Sequence, residues 1–132
     1  MLPLHPRTRR AIERQGLERL LTRLVALEPV GYLDMLALEA RARAIVTDSG
    51  GVQKEAYFLR VPCVTVRDET EWTETVAAGW NRLVTPLSAA ALRDAVRDAL
   101  NAVPDDVPPF YGGGDAARRI VEALEGMWNK WT

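Results

Sequence analysis

The sequence predicts an α/β fold: a Rossmann-like parallel sheet in three layers, with helices on both faces. Three observations lead there. Short β-rich runs of four to six residues alternate with longer segments whose apolar residues fall three or four apart, the rhythm of βαβ units. The runs are continuously apolar rather than alternating, as in strands buried on both faces. The connections between them are short.

In chain order, Leu2 and Leu4 read as the end of a strand that runs at once into His5 and Pro6, so the sequence looks like part of something longer. A helix is expected over residues 8–16, a weaker strand over 24–27 and a helix over 32–41. Residues 44–47 (AIVT) form the next strand and 52–59 the helix after it. Strands at 62–66 (PCVTV) and 82–84 follow, then a helix over 87–102 with Ser88 as its cap. Residues 103–114 (VPDDVPPFYGGG) break both periodicities through their prolines and glycine triplet, and read as a long loop. A last helix, from 115 to about 131, puts Ile120, Val121, Leu124, Met127, Trp128 and Trp131 on one stripe. That stripe either covers its own domain or packs on a partner.

Composition excludes several classes. Seventeen basic against eighteen acidic residues give a net charge of −1, which supplies no general field for nucleic acid or anionic lipid, so any anion must be held locally. With 132 residues, one compact domain is expected. The single cysteine, Cys63, and the single histidine offer no zinc ligand set; no metal or cofactor is expected, and a reducing cytoplasm fits best. No apolar run approaches the ~20 residues of a membrane span, and MLPLHPRTRR is unlike a signal peptide. A soluble cytoplasmic protein with no membrane or nucleic-acid partner is the expectation.

Three clusters carry candidate chemistry, each after the carboxyl end of a predicted strand, the edge where open parallel sheets bind ligands. In TDSGGVQKEA, from Thr47, a strand ends, two glycines permit a tight turn and a helix begins, leaving free N–H groups at Ser49, Gly50 and Gly51 for an anion. A plain strand-to-helix turn capped by Asp48 or Ser49 is the alternative. Glu55, one turn on, either accepts from ribose hydroxyls or is a solvated helix charge. HPRTRR, from His5, sets Arg7, Arg9 and Arg10 at a helix start, where cations do not suit the dipole; either an anionic partner explains them or they are ordinary surface charges. His5 is a phosphate donor or a loop residue. RDETEWTET, from Arg67, reads otherwise as a helix start with Thr70 as N-cap and glutamates in the first turn.

HPRT at Pro6, PVGYLDML from Pro29, TDSGGVQKEA from Thr47, VPCVTVRDETEWTETV from Val61 and GWN from Gly79 together resemble the carboxyl-terminal half of the non-hydrolysing UDP-N-acetylglucosamine 2-epimerases. YGGGDAARRIVEAL, from Tyr111, is similar to that family's closing loop and helix. The resemblance implies a GT-B-like enzyme of two Rossmann-type domains. Such enzymes interconvert UDP-GlcNAc and UDP-ManNAc by eliminating UDP to a bound glycal and re-adding it after protonation at the other face of C2.

Carried across by motif, His5 and Arg7 would meet the phosphates. Ser49, Gly50 and Gly51 would bind them through hydroxyl and backbone N–H, and Glu55 would hold the ribose. The uracil would lie against the segment of Tyr32 and Met35, with Met35 where many members have an aromatic ring. Arg67 and Trp72 complete the expected binding residues; Trp72 follows the branch that has Trp rather than Arg, removing a cationic contact.

The resemblance makes residues 1–110 a UDP-binding domain lacking its first strand and helix, and 111–132 a closing loop and helix. The family's acid/base carboxylates lie in an amino-terminal half not represented here, so the expectation is a UDP-binding portion without activity alone. Its expected partners are UDP or a UDP-sugar, a separately encoded amino-terminal half and a second copy of itself. A non-catalytic UDP-sugar-binding or regulatory module and a structural remnant are the alternatives.

Overall fold

The computed structural model describes residues 1–128 and divides into two compact units, one of residues 1–42 and one beginning at Arg43. In the first, β1 (Leu2–Pro3) pairs in parallel with β2 (Ala26–Leu27). The ladder bonds come from Leu2 N–H to the Val25 carbonyl and from Leu4 N–H to the Leu27 carbonyl, at 2.8 and 2.9 Å. Pro3, which has no N–H to give, sits between these two donors, where a parallel ladder asks nothing of it. Leu4 is buried.

The crossover between these strands holds α1 (Pro6–Arg14) and the single turn α2 (Glu18–Leu21), and α3 (Tyr32–Ala40) follows β2. α1 begins at Pro6, not at Thr8 as the sequence suggested. A proline at the first helical position loses no hydrogen bond, and its φ is preset for the helix.

The second unit is built on three parallel strands, β3 (Ile45–Thr47), β4 (Cys63–Thr65) and β5 (Asn81–Leu83), in the spatial order β3-β4-β5. α4 (Gly50–Phe58) and α5 (Thr73–Ala77) form the crossovers; α6 (Ala89–Asn101) and α7 (Ala116–Trp128) come after β5. Alternation along β4 divides the core. Val64 packs with Val84 and Ala99, against which Ala91, Leu92, Ala95 and Val96 of α6 are laid. Thr65, pointing the other way, joins a polar network with Gln53 of α4. Helices therefore lie on both faces of this sheet.

Among the described residues only β4 is buried along its whole length; Val46 of β3 is 48% exposed, because β3 is an edge strand of its three-stranded sheet, so the expected burial on both faces fails there. Ser88 caps α6 as expected, its hydroxyl accepting from Ala91 N–H at 3.1 Å. Segment 103–115 is irregular and packs on this unit: Trp80 Nε1 donates to the Asp106 carbonyl at 2.8 Å, and Tyr57 Oη donates to the Pro108 carbonyl. On α7, Ile120, Val121, Leu124, Met127 and Trp128 are 52% to 72% exposed, so these five do not cover the unit's own core. Trp131 lies outside the described residues.

Candidate functional site

The start of α4 is the centre of the second unit's site. Ser49 is the N-cap, with extended backbone; its hydroxyl accepts from Val52 N–H at 3.4 Å, and its own N–H donates to Thr47 Oγ1 at 3.0 Å. The amides of Gly50 and Gly51 occupy the first turn, where a helix provides no acceptor, at the positive end of the helix dipole. This donor set is matched to an anion. A Cβ on Gly50 would run into the carboxylate of Glu71 and come within 3.6 Å of Trp72 Nε1, whereas one on Gly51 would make only an ordinary 3.8 Å contact with Ser49 Oγ.

The segment after β4 closes on this turn. Trp72 Nε1 donates to the Gly50 carbonyl at 2.9 Å, and Arg67 Nη1 pairs with Glu71 Oε2 at 3.3 Å. Lys54 Nζ lies 4.5 Å from the Trp72 ring centre and 4.4 Å from that of Tyr111. Tyr111 Oη donates to Glu74 Oε1 at 2.7 Å. That bond is the main reason the Glu74 carboxyl is held below its ordinary range, with Lys54 acting in the same sense. Burial, then the same bond, pushes the Tyr111 phenol well above its ordinary value; burial, then Asp106 and Glu74, raises Tyr57.

Beneath the turn, Gln53 Oε1 accepts from Thr70 Oγ1 at 2.6 Å and from Asn81 Nδ2 at 3.0 Å, while Asn81 Oδ1 accepts from Thr65 Oγ1 at 2.7 Å. Thr70 is therefore not the N-cap of α5. Its hydroxyl is directed to Gln53 and accepts from Trp72 N–H at 3.1 Å, and Trp72 itself occupies the cap position without a capping side chain. A buried acceptor in need of partners outcompetes a helix of only five residues.

In the first unit His5 caps α1. Its Nδ1 accepts from Arg7 N–H at 3.1 Å, which leaves Nε2 as the donor of the neutral ring. Arg9 is paired with Glu28 at 2.5 Å, but the guanidinium groups of Arg7 and Arg10 make no ion pair among the described residues, and Arg10 lends its carbonyl to Arg14 Nε at 3.2 Å. Arg7 and Arg10 both line an open cleft of about 560 Å³ with His5, Pro6, Arg14 and the acidic Glu13. Tyr32, exposed, opens α3, and Met35, half-buried, lies in its first turn.

Of the sequence-predicted residues, Ser49, Gly50, Gly51, Arg67 and Trp72 therefore converge on one turn, with Glu55 one helical turn further along α4 and half-buried. Sequence reading missed Lys54, Glu74, Tyr111 and the Gln53 network. Gln53 carried a signal: it stands at i, i+3, i+4 with the buried Ala56 and Tyr57, a polar residue on an inward face. Among the described residues no group of three or more His, Cys, Asp or Glu is placed to hold a metal, and no helix is long and apolar enough to cross a membrane.

Residues 1–125 match the family described as UDP-N-acetylglucosamine 2-epimerase. A UDP-2,3-diacetamido-2,3-dideoxy-D-glucuronate 2-epimerase of Pseudomonas aeruginosa is 48% identical over 94% of this chain and 34% of its own length. A UDP-N-acetylglucosamine 2-epimerase homolog of Methanococcus maripaludis is 44% identical over 96% of this chain and 36% of its own. Among solved structures, the UDP-GlcNAc 2-epimerase of Methanocaldococcus jannaschii, in complex with UDP-GlcNAc and UDP, superposes with a TM-score of 0.80 at 42% identity, over 93% of this chain and 34% of that one. The chain thus spans about a third of the length of these relatives, and its α/β fold is that of the corresponding part of GT-B-like epimerases.

Proposed function

Since the chain belongs to the UDP-N-acetylglucosamine 2-epimerase family, we propose that it is the nucleotide-binding portion of an enzyme interconverting UDP-GlcNAc and UDP-ManNAc. The observation that carries this reading is the Ser49–Gly50–Gly51 start of α4, where the two glycine amides have no acceptor in the helix while the Ser49 N–H is taken by Thr47 Oγ1, in a chain 42% identical to an epimerase solved with UDP-GlcNAc and UDP. Ser49 and the two glycine amides take the diphosphate, and Glu55 takes the ribose hydroxyls. His5, through Nε2, and Arg7 meet phosphate oxygens, Tyr32 and Met35 flank the uracil, and Arg67 adds positive charge. Residues 1–110 are the binding body in this reading and 111–132 its closing segment.

The chain alone does not epimerise. Catalysis at C2 needs an acid and a base, and the residues assigned here hold UDP rather than the sugar's reacting carbon. Its place is the cytoplasm. Its partner is a second copy of itself, to which the exposed α7 stripe is suited because covering each large apolar side chain is worth ~1.5–3 kcal/mol. The 48% identity to the Pseudomonas aeruginosa enzyme favours a second reading for the sugar, a diacetamido uronate on the same UDP.

Calorimetry tests the nucleotide assignment. UDP should bind more tightly than uridine, and Glu55→Ala should weaken UDP by ~1–3 kcal/mol through lost charge-assisted bonds. Equal affinity for uridine and UDP sinks the phosphate assignment.

A further inference from the structure

Trp72 reaches the α4 turn from the segment after β4, and what it holds there is the Gly50 carbonyl, at 2.9 Å. That oxygen and the Gly51 N–H belong to one planar, trans peptide unit and point in opposite directions. As the first residue of α4, Gly50 already offers this oxygen to the helix's own ladder; the indole is a second donor on it, and a second hold on the oxygen is a second hold on the direction in which the Gly51 N–H is aimed. A carbonyl that accepts a hydrogen bond also polarises its own peptide, making that N–H the better donor.

The indole is itself held. Lys54 Nζ lies over its face, and the Tyr111 ring meets it at 90° with centroids 6.0 Å apart. Lys54 lies over Tyr111 as well, so one cation joins both rings, and Tyr111 is anchored by its bond to Glu74. Nothing in this chain of contacts is needed to form the helix start, which Ser49 already caps.

From this geometry we infer that Trp72 is a positioning residue for anion recognition: through the Gly50 carbonyl it aims the Gly51 amide, and Lys54 and Tyr111 keep it in place, so that the closing segment tunes the turn. Trp72 then does not contact the nucleotide. The inference deepens the proposed diphosphate assignment and rests on it for the identity of the anion.

The test uses the 132-residue chain in two measurements. In the first, without ligand, Trp72→Phe keeps a ring beside Lys54 but removes the indole N–H. The 15N resonance of Gly51 should move and its heteronuclear NOE should fall, while Gly113, where an added Cβ would meet nothing within 4 Å, stays unchanged as the internal control. In the second, Trp72→Phe should lower UDP affinity by ~3–10-fold, the range of one net hydrogen bond, with uridine affinity unchanged. Tyr111→Phe, which keeps the ring and loses only the Glu74 bond, should give the same pattern at smaller size. An unmoved Gly51 resonance overturns the inference whether or not UDP binds, and so does an equal loss of UDP and uridine, which is the mark of a merely structural role. A Gly51 resonance that moves in a chain indifferent between UDP and uridine overturns the diphosphate reading instead.

Discussion

Two helix starts in this chain solve the same electrostatic problem in opposite ways. At α1 an imidazole caps the helix, proline fills the first position, and Arg7, Arg9 and Arg10 crowd the positive end of the dipole. At α4 a serine caps the helix, two glycines fill the first turn, no charged side chain is in that turn, and the donors are backbone amides. Cations at that end of a dipole are unfavourable; Glu28 answers Arg9, while the guanidinium groups of Arg7 and Arg10 are left without an acidic partner among the described residues. α4 presents the helix's own dipole and must instead hold its backbone in place. The support follows the need: α1 buries no residue at all, whereas α4 buries Gln53, Ala56 and Tyr57 and is gripped by Trp72.

The comparison breaks most readily at Gln53. Gln53→Leu leaves the donors of Thr70 and Asn81 facing an apolar group in the interior. A loss of about 2 kcal/mol is expected from buried polar groups left without partners, read by urea unfolding. The loss should be accompanied by weaker UDP binding, because Thr70 carries the Trp72 backbone. Unchanged stability would show that water satisfies these groups and that α4 is held from outside only.

A substitution with opposite effects on stability and binding sharpens it next. Ser49→Asp keeps the cap and adds a negative charge at the positive helix end, which should raise unfolding stability by ~0.3–1 kcal/mol. The same charge repels a diphosphate, so UDP affinity should fall by on the order of tenfold. If stability and UDP affinity rise together, the anion does not bind at this turn.

What was legible in the sequence follows the same division. The parallel strands, the α4 turn and the Ser88 cap were readable because each rests on local chemistry: apolar runs, Ser-Gly-Gly after a strand, and serine before a helical period. The α1 start was misplaced because His5 is an uncommon cap, and Thr70 was misassigned because its partner Gln53 is distant in sequence. Lys54 between Trp72 and Tyr111 was invisible for the same reason: the rings meet only once the closing segment is packed. That β3 is exposed at Val46 could not be read from its composition, since edge and central strands differ in neighbours, not in sequence.

A smaller effect separates the two glycines. Gly51→Ala adds a methyl into ordinary contact distance and should leave stability within a few tenths of a kcal/mol, since alanine also suits a helix better. Gly50→Ala should fold equally well, because the group in its way is the flexible end of Glu71. Displacing that carboxylate disturbs its pair with Arg67, so UDP affinity should fall in Gly50→Ala alone. Equal affinities in the two variants, measured side by side, would remove Glu71 and Arg67 from the site.

The smallest expected effect is a pH dependence confined to the α4 side. The Tyr111 bond, chiefly, holds the Glu74 carboxyl below its ordinary 4.5, so its contribution to stability is complete above about that pH and is lost as pH falls through the folded value. Tyr111 is shifted the other way, above 10.0, so its contribution is complete below about that pH and is lost as pH climbs through the folded value. The contact between closing segment and indole is therefore whole across the neutral range and loosens at both extremes. Glu74 is only half-buried, so solvent screens the interaction and keeps the effect small. The indole N–H resonance of Trp72 should shift on acidification before the chain unfolds, and Glu74→Gln, which retains an acceptor for Tyr111 but cannot titrate, should abolish that shift. The His5 cap at α1 contains neither group, so an acid shift that survives in Glu74→Gln with the parent's midpoint would mean that the Trp72 signal reports general loosening of the unit and not this bond.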